Sequence, residues 1–285
     1  HPANTLSLHD ALPISGVRSP VSFAGGSFKQ ARAVFSDRGF DTISYDNITN
    51  DLSSFSKDKV KIIYTSPSHI TPWGDVMPMQ TRLELLSFAN TNDCLIIEDD
   101  YDSEFRYYSR PVPSLQGLDG GEKVIYMGTF SRLLLPSLRI SFMVLSKELT
   151  NTYSNRGKIY NQTASKTDQI ALCQFIRDGH LSRQIKKTRK LYMIKSQQLC
   201  IAIDKVFGNK AKGIPGSGGF LIQMEVKSEL SSKELEKRGA NAGVLVRSFN
   251  SVDESKYPRL LLSCSGVSED NFEEALTLLK NEFFK

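Results

Sequence analysis

The chain has no apolar run approaching the roughly 20 residues that a membrane-spanning helix needs. That excludes a helical membrane protein. Cysteine is scarce: Cys94, Cys173, Cys200 and Cys264 stand singly in apolar contexts with no CxxC spacing, so they read as buried thiols of a reducing compartment, neither zinc ligands nor a disulfide framework. Charge of one sign is not in great excess, and a net +5 spread along 285 residues is no nucleic-acid footprint. Residues 1–20 lack a charged leader and a long apolar core, so they are not a signal peptide. What is present is apolar content of 40%, enough for a sizeable core and an expected two lobes.

Short apolar runs at Val60–Tyr64, Cys94–Ile97, Val124–Met127 and Ser141–Leu145 read as strands, with a helix at Gln80–Ala89 separating the first two. This alternation predicts a doubly wound α/β lobe. A break is expected near Leu149. The sequence turns helical from Thr167 to a stop at Gly179, and a long basic helix follows from Leu181 to about Val206. Strands at Gly218–Val226, Gly243–Val246 and Arg259–Ser263, closed by a helix at Glu269–Phe284, predict a smaller α/β lobe.

One segment carries chemistry. Residues 94–105 read CLIIEDDYDSEF, a buried strand running straight into carboxylates. In open α/β sheets ligands bind at the C-terminal edge of the strands, and side chains alternate, so Asp99 and Tyr101 point one way while Glu98 and Asp100 point the other. A carboxylate so placed can hold a pyridine nitrogen protonated, and a phenol two residues on can reach a ring hydroxyl. A solvated acidic turn is the plainer reading. A metal site using Asp99, Asp100, Asp102 and Glu104 is another, although alternation splits those side chains between two faces and no glycine-turn calcium loop is present.

The company of this motif decides among them. YTSPSH (64–69), IIEDDYDSEF (96–105), VPSLQGLD (112–119), VIYMGTFS (124–131) and LLPSLRISFMVL (134–145) occur in the order and spacing of one family. Over residues 21–285 the chain resembles the aminotransferase-like domain of MocR-type regulators of the GntR family. The resemblance implies a fold-type-I α/β architecture: an incomplete large pyridoxal-phosphate-binding domain at 21–150, then an interdomain helix and small C-terminal domain at 151–285. It implies pyridoxal 5'-phosphate as cofactor, a vitamin B6 or small amino compound as ligand, a homodimer and a cytoplasmic location. DNA would be reached only through a winged helix-turn-helix, which is not recognisable in this sequence. Residues 1–20 match no part of the pattern, and read either as an artefact ahead of a shortened frame or as a divergent native N-terminus.

Residue by residue, the resemblance makes Asp99 the partner of the ring nitrogen and Tyr101 a contact of the ring hydroxyl. Thr129, Ser131 and Arg139 become phosphate ligands, donors suited to a dianion. Arg139 has a second reading as an ion-pair partner of the acidic strand end. His69 lines the site, Phe28 stacks on the ring or packs as a staple on Val34 or Phe35, and Arg247 grips a ligand carboxylate, with Arg259 as runner-up.

The departures carry equal weight. The family places a lysine after GTFS for covalent attachment of the cofactor, and this chain has Arg132. Condensation with an aldehyde needs a neutral amine, which a guanidinium does not supply, so any pyridoxal phosphate is expected to bind without a covalent bond. Lys123 would have to cross the length of a strand to substitute. Ile70, Thr71 and Trp73 replace a glutamine, an aromatic and a small hydroxyl residue, Phe28 replaces a tyrosine, and Gln30 falls near a position where some members have an arginine. The sequence therefore reads first as the sensing domain of a transcription regulator, second as a stand-alone class I/II aminotransferase, and third as an acidic metal site.

Overall fold

The computed structural model describes residues 21–24, 29–45, 60–71, 74–101, 103–107, 112–156, 163–249 and 257–285. Two units divide them: one falls within residues 1–71, 76–104 and 110–185, the other within 72–75, 105–109 and 186–285.

In the first unit, β1 (Val21–Ala24), α1 (Lys29–Asp37) and β2 (Thr42–Tyr45) form one strand–helix–strand unit, and β3 (Ile62–Thr65), α2 (Met79–Thr91) and β4 (Leu95–Asp100) form another. The short α3 (Leu115–Asp119), capped by Ser114, leads into β5 (Val124–Thr129), and β6 (Ser141–Val144) follows. The sheet order is β2-β1-β3-β4-β5-β6, parallel except for β6, which runs antiparallel to β5. The unit also holds the helices α4 (Lys147–Arg156) and α5 (Lys166–Arg177).

Both faces of this sheet are buried, as continuous apolar strands require. Ile63 and Ile96 pack with Leu85, Leu86 and Ala89 of α2 and with Leu115, while Ile62, Tyr64, Ile97 and Ile125 pack with Val21 and Phe35 on the other side. At the β6 edge the cover thins. Phe142 and Val144 are each 41% exposed. Phe142 lies across the strand from Gly128, and its ring covers the place that a Cβ would take there, so a larger residue in MGTFS would have to turn the ring aside.

The second unit takes the C-terminal part of α6 (His180–Phe207), then β7 (Ala211–Ile214), β8 (Leu221–Val226), α7 (Ser232–Asn241), β9 (Arg247–Ser248), β10 (Arg259–Ser263) and α8 (Phe272–Phe283). Its antiparallel sheet is ordered β7-β8-β10-β9. Leu199, Ile203 and Phe207 of α6 and Leu276, Leu279 and Phe283 of α8 bury this sheet's apolar face.

Several expectations need correction. No strand forms at Gly243–Val246: Gly243 is in a left-handed turn, φ 76°, and the pairing begins at Arg247. The break near Leu149 is a helix, α4. The strand foreseen from Gly218 starts at Leu221. Cys173 is exposed on α5 and Cys200 only partly buried, so two of the four thiols are not core residues. Strands β1, β2 and β7 were not foreseen.

Candidate functional site

The site is built on the C-terminal ends of β3, β4 and β5. Alternation along β4 works as expected: the buried Glu98 accepts from the backbone N–H groups of Leu115 and Gln116, each at 3.0 Å, and Asp100 accepts from the Tyr126 hydroxyl at 2.8 Å. Asp99 turns to the other face, where the Tyr64 phenol donates to its Oδ2. Burial first, and then the Asp99 charge, push the Tyr64 phenol well above its ordinary range, so it stays a donor. Burial likewise raises the Glu98 carboxyl, against the opposing pull of its backbone donors and Arg82.

Tyr101, next along that face, stacks on His69, with ring centroids 5.2 Å apart and planes tilted by 35°. His69 is buried in the turn after β3, closed by its own N–H donating to Ser66 at 2.9 Å. The Arg132 guanidinium lies over the Tyr101 ring, 4.9 Å from its centroid, a cation–π contact. Arg132 is itself exposed.

The loop between β5 and β6 brings a second group together. Phe130 N–H donates to Ile140 O at 3.0 Å, one bond beyond the β5–β6 ladder, after which the chain turns. Ser131 N–H in turn donates to Thr129 Oγ1 at 3.2 Å. Arg139 is exposed and sits in the left-handed region at φ 51°, a conformation costly for a residue with a Cβ. It pairs with no carboxylate among the described residues. Its reading as an ion-pair partner of the acidic strand end is therefore not what the geometry shows.

Other sequence candidates fall elsewhere. Phe28, Trp73 and Asp102 lie outside the described residues. Gln30 is exposed on α1. Ile70 packs against the apolar cluster on the α2 side of the sheet, which explains an apolar residue where a glutamine was expected. Lys123 is held by Asp93 at 2.6 Å, at the far end of β5 from Thr129 and about 20 Å away by strand rise. In the second unit Arg247 is exposed on β9, whereas Arg259 is held by Glu225 at 3.3 Å. The described residues contain no cluster of three metal-ligating side chains.

Sequence reasoning missed Tyr64. Its signal was available only in part, because Tyr64 pairs with Ile97 in register and thus shares the face of Asp99, two residues on, but register is not written in either strand.

Comparisons with known proteins agree with this architecture. Residues 26–279 match the family model for aminotransferase class I and II. The chain is 34% identical over 267 residues to the HTH-type transcriptional regulator YhdI of Bacillus subtilis, covering 91% of this chain and 56% of that protein. It is also 34% identical over 264 residues to YdeL of the same organism, covering 91% of this chain and 57% of YdeL. The chain thus spans just over half the length of these relatives. A crystal structure of Pyrococcus horikoshii kynurenine aminotransferase superposes with a TM-score of 0.76 at 23% identity, covering 93% of this chain and 69% of that one, a likeness of fold. The chain belongs to the class I and II aminotransferase family, with the fold-type-I α/β architecture.

Proposed function

We propose that this chain, a class I and II aminotransferase by family, is the ligand-sensing aminotransferase-like part of a transcription regulator and binds a vitamin B6 compound reversibly. The observation that carries the reading is Arg132. It stands over Tyr101, beside an otherwise well-formed ring face, where covalent attachment would need an amine.

The residues present suit a non-covalent pyridoxal 5'-phosphate. Asp99 accepts the Tyr64 phenol on Oδ2, and its carboxylate would be the partner of a protonated ring nitrogen. Thr129, Ser131 and Arg139 would hold the phosphate, two hydroxyls and a guanidinium for a dianion. Tyr101 would meet the ring hydroxyl, and His69 would fix Tyr101 from behind. When bound, the cofactor supplies an aldehyde that captures amines and a ring that withdraws electrons. Arg132 adds a fixed positive charge that favours an anionic ligand group but takes no part in covalent capture. Arg247 is the proposed carboxylate ligand of an amino compound.

Regulatory relatives support this reading over a stand-alone aminotransferase, which would require the lysine. Contact with DNA would belong to a part of the regulator outside this chain's span, and the protein would act in the cytoplasm as a homodimer. No helix among the described residues is long and apolar enough to cross a membrane. Titration with pyridoxal phosphate, followed by dialysis and by intact mass after borohydride reduction, tests the reading. Saturable binding lost on dialysis, with no mass adduct, is expected. Absence of binding, or an adduct on a pocket lysine, refutes it, and amino-acid turnover would favour the enzyme. Light scattering that gives only monomer would remove the homodimer.

A further inference from the structure

We infer that Arg82 is a positioning residue for this site, setting the His69 turn in register with the end of β4. Its side chain is fully buried on α2. The guanidinium donates to three backbone carbonyls from separate segments: Met77 at 3.1 Å, Pro113 at 2.9 Å and Pro67 at 2.9 Å. It also faces Glu98, Nη1 to Oε1 3.9 Å, and both side chains are completely buried.

The placement of these partners matters more than their number. Pro67 lies two residues before His69, in the turn closed by His69 N–H to Ser66 O and by Met77 N–H to Pro67 O at 2.8 Å. Glu98 immediately precedes Asp99 on β4 and ties that strand to the start of α3 through Leu115 and Gln116. One cation thus clamps the turn that carries His69 to the strand that carries Asp99 and Tyr101. A shift of the turn would move the His69 ring off Tyr101.

Packing alone does not call for this residue. Burying a charge is costly, and well-packed apolar side chains commonly replace buried ion pairs without loss of stability. A planar fork that reaches several carbonyls at once is what arginine offers and lysine lacks. The ligand part of the inference rests on the function proposed above. The geometric part does not.

The test compares Arg82→Lys with Leu279→Ala, a cavity variant in the core of the second unit. The first readout is the ligand-free imidazole proton resonance of His69, assigned with His69→Gln among the four histidines. The second is the dissociation constant for pyridoxal phosphate. Arg82→Lys should displace the His69 resonance as its stacking on Tyr101 changes, and weaken binding about tenfold or more, the usual scale for loss of a supporting partner. Leu279→Ala should be less stable but leave both readouts in place. Equal behaviour of the two variants, or an unmoved His69 resonance in folded Arg82→Lys, overturns the inference. Should Arg82→Lys not fold, Glu98→Gln loosens the same clamp from its other side, and an unmoved resonance there overturns it equally. If the unmodified chain binds no pyridoxal phosphate, the proposed function fails while the resonance still decides the role of Arg82.

Discussion

The phenol of Tyr64 on β3 donates to the carboxylate of Asp99 on the neighbouring strand β4. This bond orients the carboxylate on the face of β4 that Tyr101 shares. Tyr64→Phe preserves ring packing and removes the donor. Stability should fall by about 1 kcal/mol, and affinity for pyridoxal phosphate should fall with it, because the carboxylate is no longer aimed. Urea unfolding and ligand titration on the same sample separate the two. Undiminished affinity would show that Asp99 needs no such guide.

Asp99→Asn asks a different question. The amide oxygen can still accept from Tyr64, so stability should change by less than about 1 kcal/mol. The charge that holds a ring nitrogen protonated is gone, and binding should weaken more than in Tyr64→Phe. A collapse in stability with intact binding would make Asp99 a structural residue.

Arg132→Lys should create a covalent adduct with pyridoxal phosphate that survives borohydride, where the unmodified chain gives none. Because position 132 is exposed, burial does little to strip the introduced amine of its proton. Adduct yield should therefore rise with pH from about 7.5 to 9, as the neutral fraction grows. Intact mass across that range checks it. No adduct at any pH would mean that this position does not face the cofactor.

Arg139→Gly separates backbone from chemistry at one residue. Glycine adopts φ 51° without a Cβ clash, so stability should hold or rise by up to about 1 kcal/mol, the clash relieved less the added chain entropy. Phosphate affinity should fall, and competition by inorganic phosphate should weaken in parallel. Retained competition would remove Arg139 from the phosphate ligands.

The thiols give a prediction about pH. Burial pushes Cys200 up to about 12 and Cys264 up to about 11. Their neutral forms are favoured in the fold, so stability is full below the ordinary thiol range and declines as pH rises from about 8.5 toward these values, by up to about 1.4 kcal/mol per pH unit for each thiol. The urea midpoint between pH 8 and 10.5 should therefore fall more steeply than in the Cys200→Ala, Cys264→Ala double variant. Of the four cysteines, the exposed Cys173 should react first with a disulfide reagent.

Much of the first unit was legible because β3, β4 and β5 are apolar runs, and the alternation of Glu98, Asp99, Asp100 and Tyr101 follows from strand geometry alone. The runs at Val21–Ala24 and Thr42–Tyr45 were not, because Ser22, Thr42 and Ser44 dilute their apolar signal. It is pairing that makes them strands, with β1 held between β2 and β3 and its Val21 and Ser22 buried. Arg82 was hidden for a related reason. A charge in a helix pattern marks a solvated face by default, and only the carbonyls converging on it show otherwise. In the second unit β9 is two residues long, too short to leave a period.

Arg132 is exposed, and its described ring contact is with Tyr101, outside the buried clusters of the sheet. The substitution at position 132 thus falls at the surface and not in the core. Lysine and arginine codons differ by one base, so under the proposed function a lineage would surrender or recover covalent capture of its ligand through one surface exchange that leaves the core clusters untouched.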